Sequence, residues 1–165
     1  MNPAAAANAP TEAELKAVLL YHLTQFVTWP VASTNSSSEF VIGILGPDPF
    51  GPALDAVVKG EKVAGRPIRV VRANRAIDLT ESALVYVSPQ VREPLARIFQ
   101  ELKESPTLTV GESEDFMEAG GMIRFRKTPD RKVRLQVHLT RARGSGFNVS
   151  AQLLRVCDVV QGGAK

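Results

Sequence analysis

The sequence predicts a layered α/β domain whose largely parallel sheet ends in an antiparallel hairpin. Two observations carry this. Between Phe40 and Gly111, short unbroken apolar runs alternate with helix-like segments, and strands buried on both faces read this way. From Met122 onwards, apolar and charged residues alternate strictly, as they do in hairpin strands with one wet face.

Pro10-Thr11-Glu12-Ala13-Glu14 opens the first helix, because Thr11 can cap it while Glu14 reaches back at capping-box spacing. Leu15, Val18, Leu19, His22, Phe26 and Trp29 recur at three- and four-residue steps, and Leu23 and Val27 widen the stripe. An amphipathic helix docked through that face is expected, ending at Trp29 because Pro30 disfavours helical geometry there. The polar run "STNSSS", Ser33 to Ser38, reads as a flexible loop.

"FVIGIL", Phe40 to Leu45, is the first buried strand, and Pro52 opens a helix through Val58. "IRVVRA" (Ile68 to Ala73) and "ALVYVS" (Ala83 to Ser88) follow as strands. Ser88-Pro89 predicts a cap and a first helical turn, with Val91, Leu95, Ile98, Phe99 and Leu102 facing inward. "TLTVG", Thr107 to Gly111, is a fourth strand, and a short helix from Ser113 is stopped by Gly120-Gly121. "MIRFRK" and "VRLQVHL" form the hairpin around "TPDRK". A final helix is expected from Ser150 through Val160, with Leu153, Leu154 and Cys157 inward. The chain therefore reads as one domain over 12–161, between flexible termini at 1–11 and 162–165.

Composition narrows the function classes. With 165 residues, 44% hydrophobic and 22% charged, the chain can bury a core without staples and is not of disordered type. A net charge of +3 is no argument for nucleic acid. No apolar run reaches the ~20 residues that cross a bilayer; Ala17 to Trp29 is interrupted by His22, Thr24 and Gln25. The opening "MNPAAAANAP" reads as a mature terminus behind an added Met. A sole cysteine, Cys157, excludes an intrachain disulfide, and two distant histidines give no zinc spacing. Neither metal nor cofactor is expected.

Candidate chemistry is sparse. The loop "GILGPDPFG" has neither the GxGxxG nor the P-loop spacing, and Pro47 and Pro49 remove amides that would cradle a phosphate. His22 lacks a marked nucleophile or carboxylate partner, so a half-buried structural histidine is expected. Cys157 reads as a small buried hydrophobe. Ser88 lacks the nucleophile elbow. Asp48, Phe50, Ser88 and Glu112 fall near the ends of the parallel strands, where α/β domains bind ligands, and make a candidate solute cleft. Glu114 and Asp115 lie in a helix's first turn, where negative charge is favourable in any case. The most specific feature is the polar face of the hairpin, where Arg124, Arg126, Arg134, Gln136 and His138 call for solvent or an acidic partner.

The order "QFVTWP", "FVIGILGPDPFGPALDAVV", "RPIRVVRA", "ALVYVS", "LTVGESEDFMEAGGMIRF", "VRLQVHL" and "NVSAQLLRV" resembles the YfiR-like family from about Leu15 to Val160. The resemblance implies a three-layer α/β/α sandwich with a mostly parallel central sheet, exported to the periplasm of Gram-negative bacteria with its signal peptide removed. It implies a regulator rather than an enzyme. Such a protein represses an inner-membrane diguanylate cyclase by binding its periplasmic domain, an outer-membrane lipoprotein relieves the block, and cyclic di-GMP and biofilm formation follow. Some members carry redox-sensitive cysteine pairs, which Cys157 alone cannot supply. The hairpin edge also leaves room for a homodimer. The alternative is a periplasmic small-solute-binding module.

Overall fold

The computed structural model describes residues 11–30, 38–103 and 106–160. The expected flexible termini, apart from Thr11, and most of the Ser33 to Ser38 loop lie outside these residues. Helix α1 (Glu12–Phe26) starts as the capping box requires: Thr11 Oγ1 accepts from the Glu14 amide at 3.1 Å, and the Thr11 amide donates to Glu14 Oε1 at 2.9 Å. There follow β1 (Val27–Thr28), β2 (Phe40–Leu45), α2 (Pro52–Val58), β3 (Lys62–Val63), β4 (Arg66–Ala73), a 3-10 turn (Ala76–Leu79) and β5 (Leu84–Val87). The chain continues through α3 (Leu95–Leu102), β6 (Leu108–Gly111), α4 (Phe116–Ala119), β7 (Ile123–Lys127), β8 (Val133–His138), α5 (Leu139–Gly144), β9 (Asn148–Val149), α6 (Ala151–Arg155) and β10 (Asp158–Val160).

Among the described residues, eight strands form one sheet in the order β10-β8-β7-β6-β5-β2-β4-β3, while β1 and β9 pair apart from it. All neighbours in the large sheet are parallel except β7 with β8 and β3 with β4. Because side chains alternate along each strand, Phe40, Ile42, Ile44, Leu84, Tyr86, Leu108, Val110, Ile123, Phe125, Leu135 and Val137 share one face. They pack there under Ala17, Leu20 and Leu23 of α1 and Leu54 and Val58 of α2. Leu45, Val85 and Val87 point the other way, into a smaller core with Ala76, Leu79, Ile98, Leu102 and Phe116. Helices on both faces make this an α/β/α sandwich. The second layer stops short, however: among the described residues it lies over β4, β2, β5 and β6, and leaves the far face of β7, β8 and β10 uncovered.

Three elements differ from the sequence expectation: α1, α3 and the last helix. Helix α1 ends at Phe26 because Val27 and Thr28 turn extended to pair with Val149 and Asn148. Trp29 beyond it is buried, with its Nε1 donating to Ala83 O at 2.7 Å and its ring edge-on to Phe40 and Phe147. The docked stripe of α1 is Lys16, Ala17, Leu20, Leu23 and Thr24, while His22 is exposed. Apolar residues surround most of this helix, so their spacing alone permits more than one docking face. Helix α3 starts only at Leu95, because Pro94 restricts Glu93 to extended geometry and becomes the cap itself; Ser88 to Gln90 form a turn. The last helix stops at Arg155. Asp158 to Val160 instead join β8 in parallel, a choice that suits the β-branched Val159 and Val160.

Phe116 shows how closely the second layer sits. Its ring is held between two glycines, where an added Cβ would come within 2.5 Å of the ring at Gly111 and 2.1 Å at Gly121. Gly121→Ala should therefore destabilise the protein by about 1–3 kcal/mol in urea denaturation. Combining it with Phe116→Leu should recover part of that loss.

Candidate functional site

The uncovered face is built by register. Pairing of β7 with β8 sets Arg126 opposite Arg134 and Arg124 opposite Gln136, all on the side away from the larger core. Like charges directly opposed across strands repel, and β10 answers this by bringing Asp158 into register with Gln136. One Asp158 oxygen, Oδ2, accepts from Arg126 Nη2 at 3.2 Å and Arg134 Nε at 3.3 Å, and Oδ1 accepts from Arg134 Nη2 at 3.0 Å. The guanidiniums of Arg134 and Arg126 hold the Asp158 carboxyl below its ordinary range. The three side chains stay well exposed, at 41% for Arg126, 44% for Arg134 and 36% for Asp158, so the clasp can trade its partners with an incoming chain.

The five residues expected on this face do not share one role. Arg126 and Arg134 present charge outward. Arg124 is a strut, its Nε donating to Ser113 O at 2.9 Å and its Nη1 lying 3.4 Å from Gln136 Oε1, which fixes the β6–α4 loop to the hairpin. His138 has left the face: it is 9% exposed and caps α5, its Nδ1 accepting from the Arg141 amide at 3.1 Å. Burial and the neighbouring Arg141 charge push its pKa down, which keeps the imidazole neutral as a cap requires. The sequence places His138 at the right parity, but nothing in the alternation reveals a helix beginning one residue later.

At the C-terminal ends of the parallel strands, the four expected cleft residues are held by partners within the chain. Glu112 Oε1 accepts from Lys16 Nζ at 2.6 Å, and Glu112 Oε2 accepts from the Tyr86 hydroxyl. Lys16 also meets Glu12 at 2.6 Å, and Glu12 meets Lys127 at 2.7 Å, so charges alternate from the core to the surface. Burial pulls the Lys16 ammonium down, but its hydrogen bonds to Glu112 and Glu12 outweigh this and leave its pKa raised. Burial, followed by the Glu112 hydrogen bond, pushes Tyr86 far up, so the phenol stays protonated. Asp48 accepts from the Phe50 amide at 2.8 Å and from Arg72 Nε at 2.7 Å; Arg72 also reaches Asp55 at 2.8 Å. Phe50 is buried edge-on to Tyr86 at 4.8 Å, and the buried Ser88 Oγ accepts from the Gln90 amide at 3.2 Å. These partnerships lock α1 and the strand-end loops together. A cavity of about 380 Å³ does lie at the strand ends, lined by Gly46, Pro47, Asn74, Gln90 and Arg92 rather than by those four residues.

Of the two remaining groups with reactive potential, His22 is exposed and packs edge-on to Phe26. Cys157 is buried, and burial pushes its thiol up to about 11, away from thiolate chemistry. Among the described residues, no group of three or more His, Cys, Asp or Glu is placed to hold a metal ion, and no helix is long and apolar enough to cross a membrane. Sequence reasoning missed Lys16 because it falls outside the apolar stripe read along α1; its spacing of four from Glu12 was the available signal.

The fold is thus an α/β sandwich with one polar sheet face open among the described residues and its strand-end charges satisfied internally. The chain belongs to the YfiR/HmsC-like family, whose profile matches residues 13–158. This is a family of periplasmic regulators. No curated protein matches the chain. Two solved structures share the fold. One is a conserved domain protein from Vibrio cholerae, with a TM-score of 0.61 and 11% identity over 92% of this chain. The other is the ABC domain in complex with L-Trp from Streptococcus pneumonia, with a TM-score of 0.55 and 13% identity over 90% of this chain. The chain spans 60% of the length of each.

Removing the cation at the centre of the strand-end chain should be costly, because Glu112 and Glu12 would be left facing each other. Lys16→Met is expected to cost about 3 kcal/mol in denaturant unfolding, with Lys16→Met/Glu112→Gln recovering part of it.

Proposed function

We propose that the protein is a periplasmic regulator that represses an inner-membrane diguanylate cyclase, or a similar sensor, by binding its periplasmic domain through the open face of β7, β8 and β10. Cyclic di-GMP level and biofilm formation are the outputs, and an outer-membrane lipoprotein that sequesters the regulator relieves the block. The observation that carries the reading is the uncovered arginine face. Arg124, Arg126 and Arg134 against the single carboxylate of Asp158 leave a surplus of positive charge where no helix packs. An acidic surface on the sensor complements it, and charges of this exposure set association rate and specificity. Membership of a family of regulators gives the reading its biological frame.

Reversing these arginines also breaks the clasp on β10, so the test must separate the two effects. Arg126→Glu/Arg134→Glu is expected to weaken binding to the sensor's periplasmic domain by a hundredfold or more. Adding Asp158→Arg rebuilds the internal pairs with opposite sign and should restore β10 while leaving binding lost. Biolayer interferometry against the sensor domain, with Tm as the control, checks this. Recovery of affinity in the triple variant would mean that β10, and not the charge, makes the interface.

A second reading, a solute-binding module, is favoured by the strand-end cavity lined by Gly46, Pro47, Asn74, Gln90 and Arg92, since ligands bind at such crevices in open α/β sheets. The Streptococcus structure of the same fold is itself a complex with L-Trp. A thermal-shift screen of small metabolites, repeated on Asn74→Leu/Gln90→Leu, distinguishes it: stabilisation lost in the variant supports a solute site there, and no stabilisation by any compound removes the reading.

A further inference from the structure

A cavity of about 450 Å³ lies at the opposite end of the sheet from the strand-end cavity, where β6 and β7 begin. Its apolar side is made by Phe99 and Leu102 of α3 and by Met122. Its polar side consists of donors. Arg141 of α5 spends one nitrogen, Nη1, on the carbonyls of Met117 at 2.7 Å and Gly121 at 2.6 Å. That arrangement anchors the guanidinium against α4 and leaves its Nε and Nη2 without an acceptor among the described residues.

Arg141 differs from Arg72, Arg126 and Arg134 in having no carboxylate beside it among the described residues. Burial alone acts on it and pulls its pKa down, as for a cation short of a counter-ion. Thr109 adds a second signal. It is 4% exposed, its Oγ1 accepts from the Met122 amide at 3.1 Å, and its hydroxyl proton meets no acceptor among the described residues. Ser145 and Lys103, both exposed, stand at the cavity's rim. No carboxylate occurs among the described residues of its lining. Anchored donors around an apolar pocket, with the Nε/Nη2 edge of an arginine free, match a carboxylate taken side-on by two parallel hydrogen bonds.

We propose that this cavity is a binding site for a small organic monocarboxylate with an apolar body. Its carboxylate bridges Arg141 and the Thr109 hydroxyl, and its hydrocarbon part lies against Phe99, Leu102 and Met122. The volume falls in the range of ordinary small-molecule sites, about 300–1,000 Å³. The inference does not depend on the regulatory reading, because none of these residues lies on the hairpin face.

The test uses octanoate, octan-1-ol and octylammonium, which share a tail and differ in head-group charge, titrated calorimetrically into the intact protein. Octanoate should bind at least tenfold more tightly than either of the others, the difference a charged hydrogen-bonding pair supplies. Arg141→Gln keeps a donor toward the Met117 and Gly121 carbonyls while removing the charge, and should cost octanoate tenfold or more. Ser145→Trp, placed on the exposed rim, should block octanoate without altering the core, which keeps the test decisive if Arg141→Gln folds poorly. Equal affinity for all three probes, no octanoate binding at all, or undiminished octanoate binding by Ser145→Trp would overturn the proposal.

Discussion

A strand followed by a parallel neighbour needs a crossover, and each crossover covers one face of the sheet. The rest of this structure depends on where the crossovers stop. The 3-10 turn and α3 carry the chain across the second face between β4, β5 and β6, and α4 adds the last contribution before β7. After β7 the chain turns back directly into β8, and its return through α5, β9 and α6 packs into the core on the first face. The last third of the sheet therefore has one dry face and one wet face. The residues obey this, with Ile123, Phe125, Leu135 and Val137 inward and Arg124, Arg126, Arg134 and Gln136 outward.

The wet face and the strand ends use charge differently. At the strand ends, Tyr86, Glu112, Lys16, Glu12 and Lys127 alternate in sign and proton supply, each buried group satisfied by the next, so the first turns of α1 are pinned at the C-terminal end of β6. Such a chain fixes position and has little left to offer a ligand. On the hairpin face, one exposed carboxylate serves two arginines that the register has forced together. Exposed pairs contribute little stability and exchange readily, which suits the docking role proposed for this surface. The same chain therefore holds rigid charge where the fold needs an anchor and exchangeable charge where a partner can reach it.

What was legible in the sequence followed from short-range rules. The capping box at Thr11 and Glu14, the continuous strands FVIGIL and ALVYVS, and the alternating hairpin with its arginine face are all local patterns with local causes. What was not legible needed a distant partner. Val27-Thr28 and Asp158 to Val160 become strands only because Asn148-Val149 and the edge of β8 are there to receive them. Lys16 sits inside because Glu112 meets it from a residue 96 positions away. Asp48 and Glu112 were correctly placed at the strand ends, but their availability depended on Arg72 and Lys16, which spacing cannot reveal. The cavity beside Arg141 was missed for the same reason, since its walls come from α3, β6 and α5.

The most direct test of the central claim is hydrogen–deuterium exchange of the protein alone and bound to the periplasmic domain of the membrane diguanylate cyclase proposed as its partner. If the uncovered face is the docking surface, binding slows exchange along Ile123–Lys127, Val133–His138 and Asp158–Val160 and leaves α2 and α3 unchanged. Protection confined to α1, α2 or the strand-end loops, with the hairpin unaffected, would contradict it.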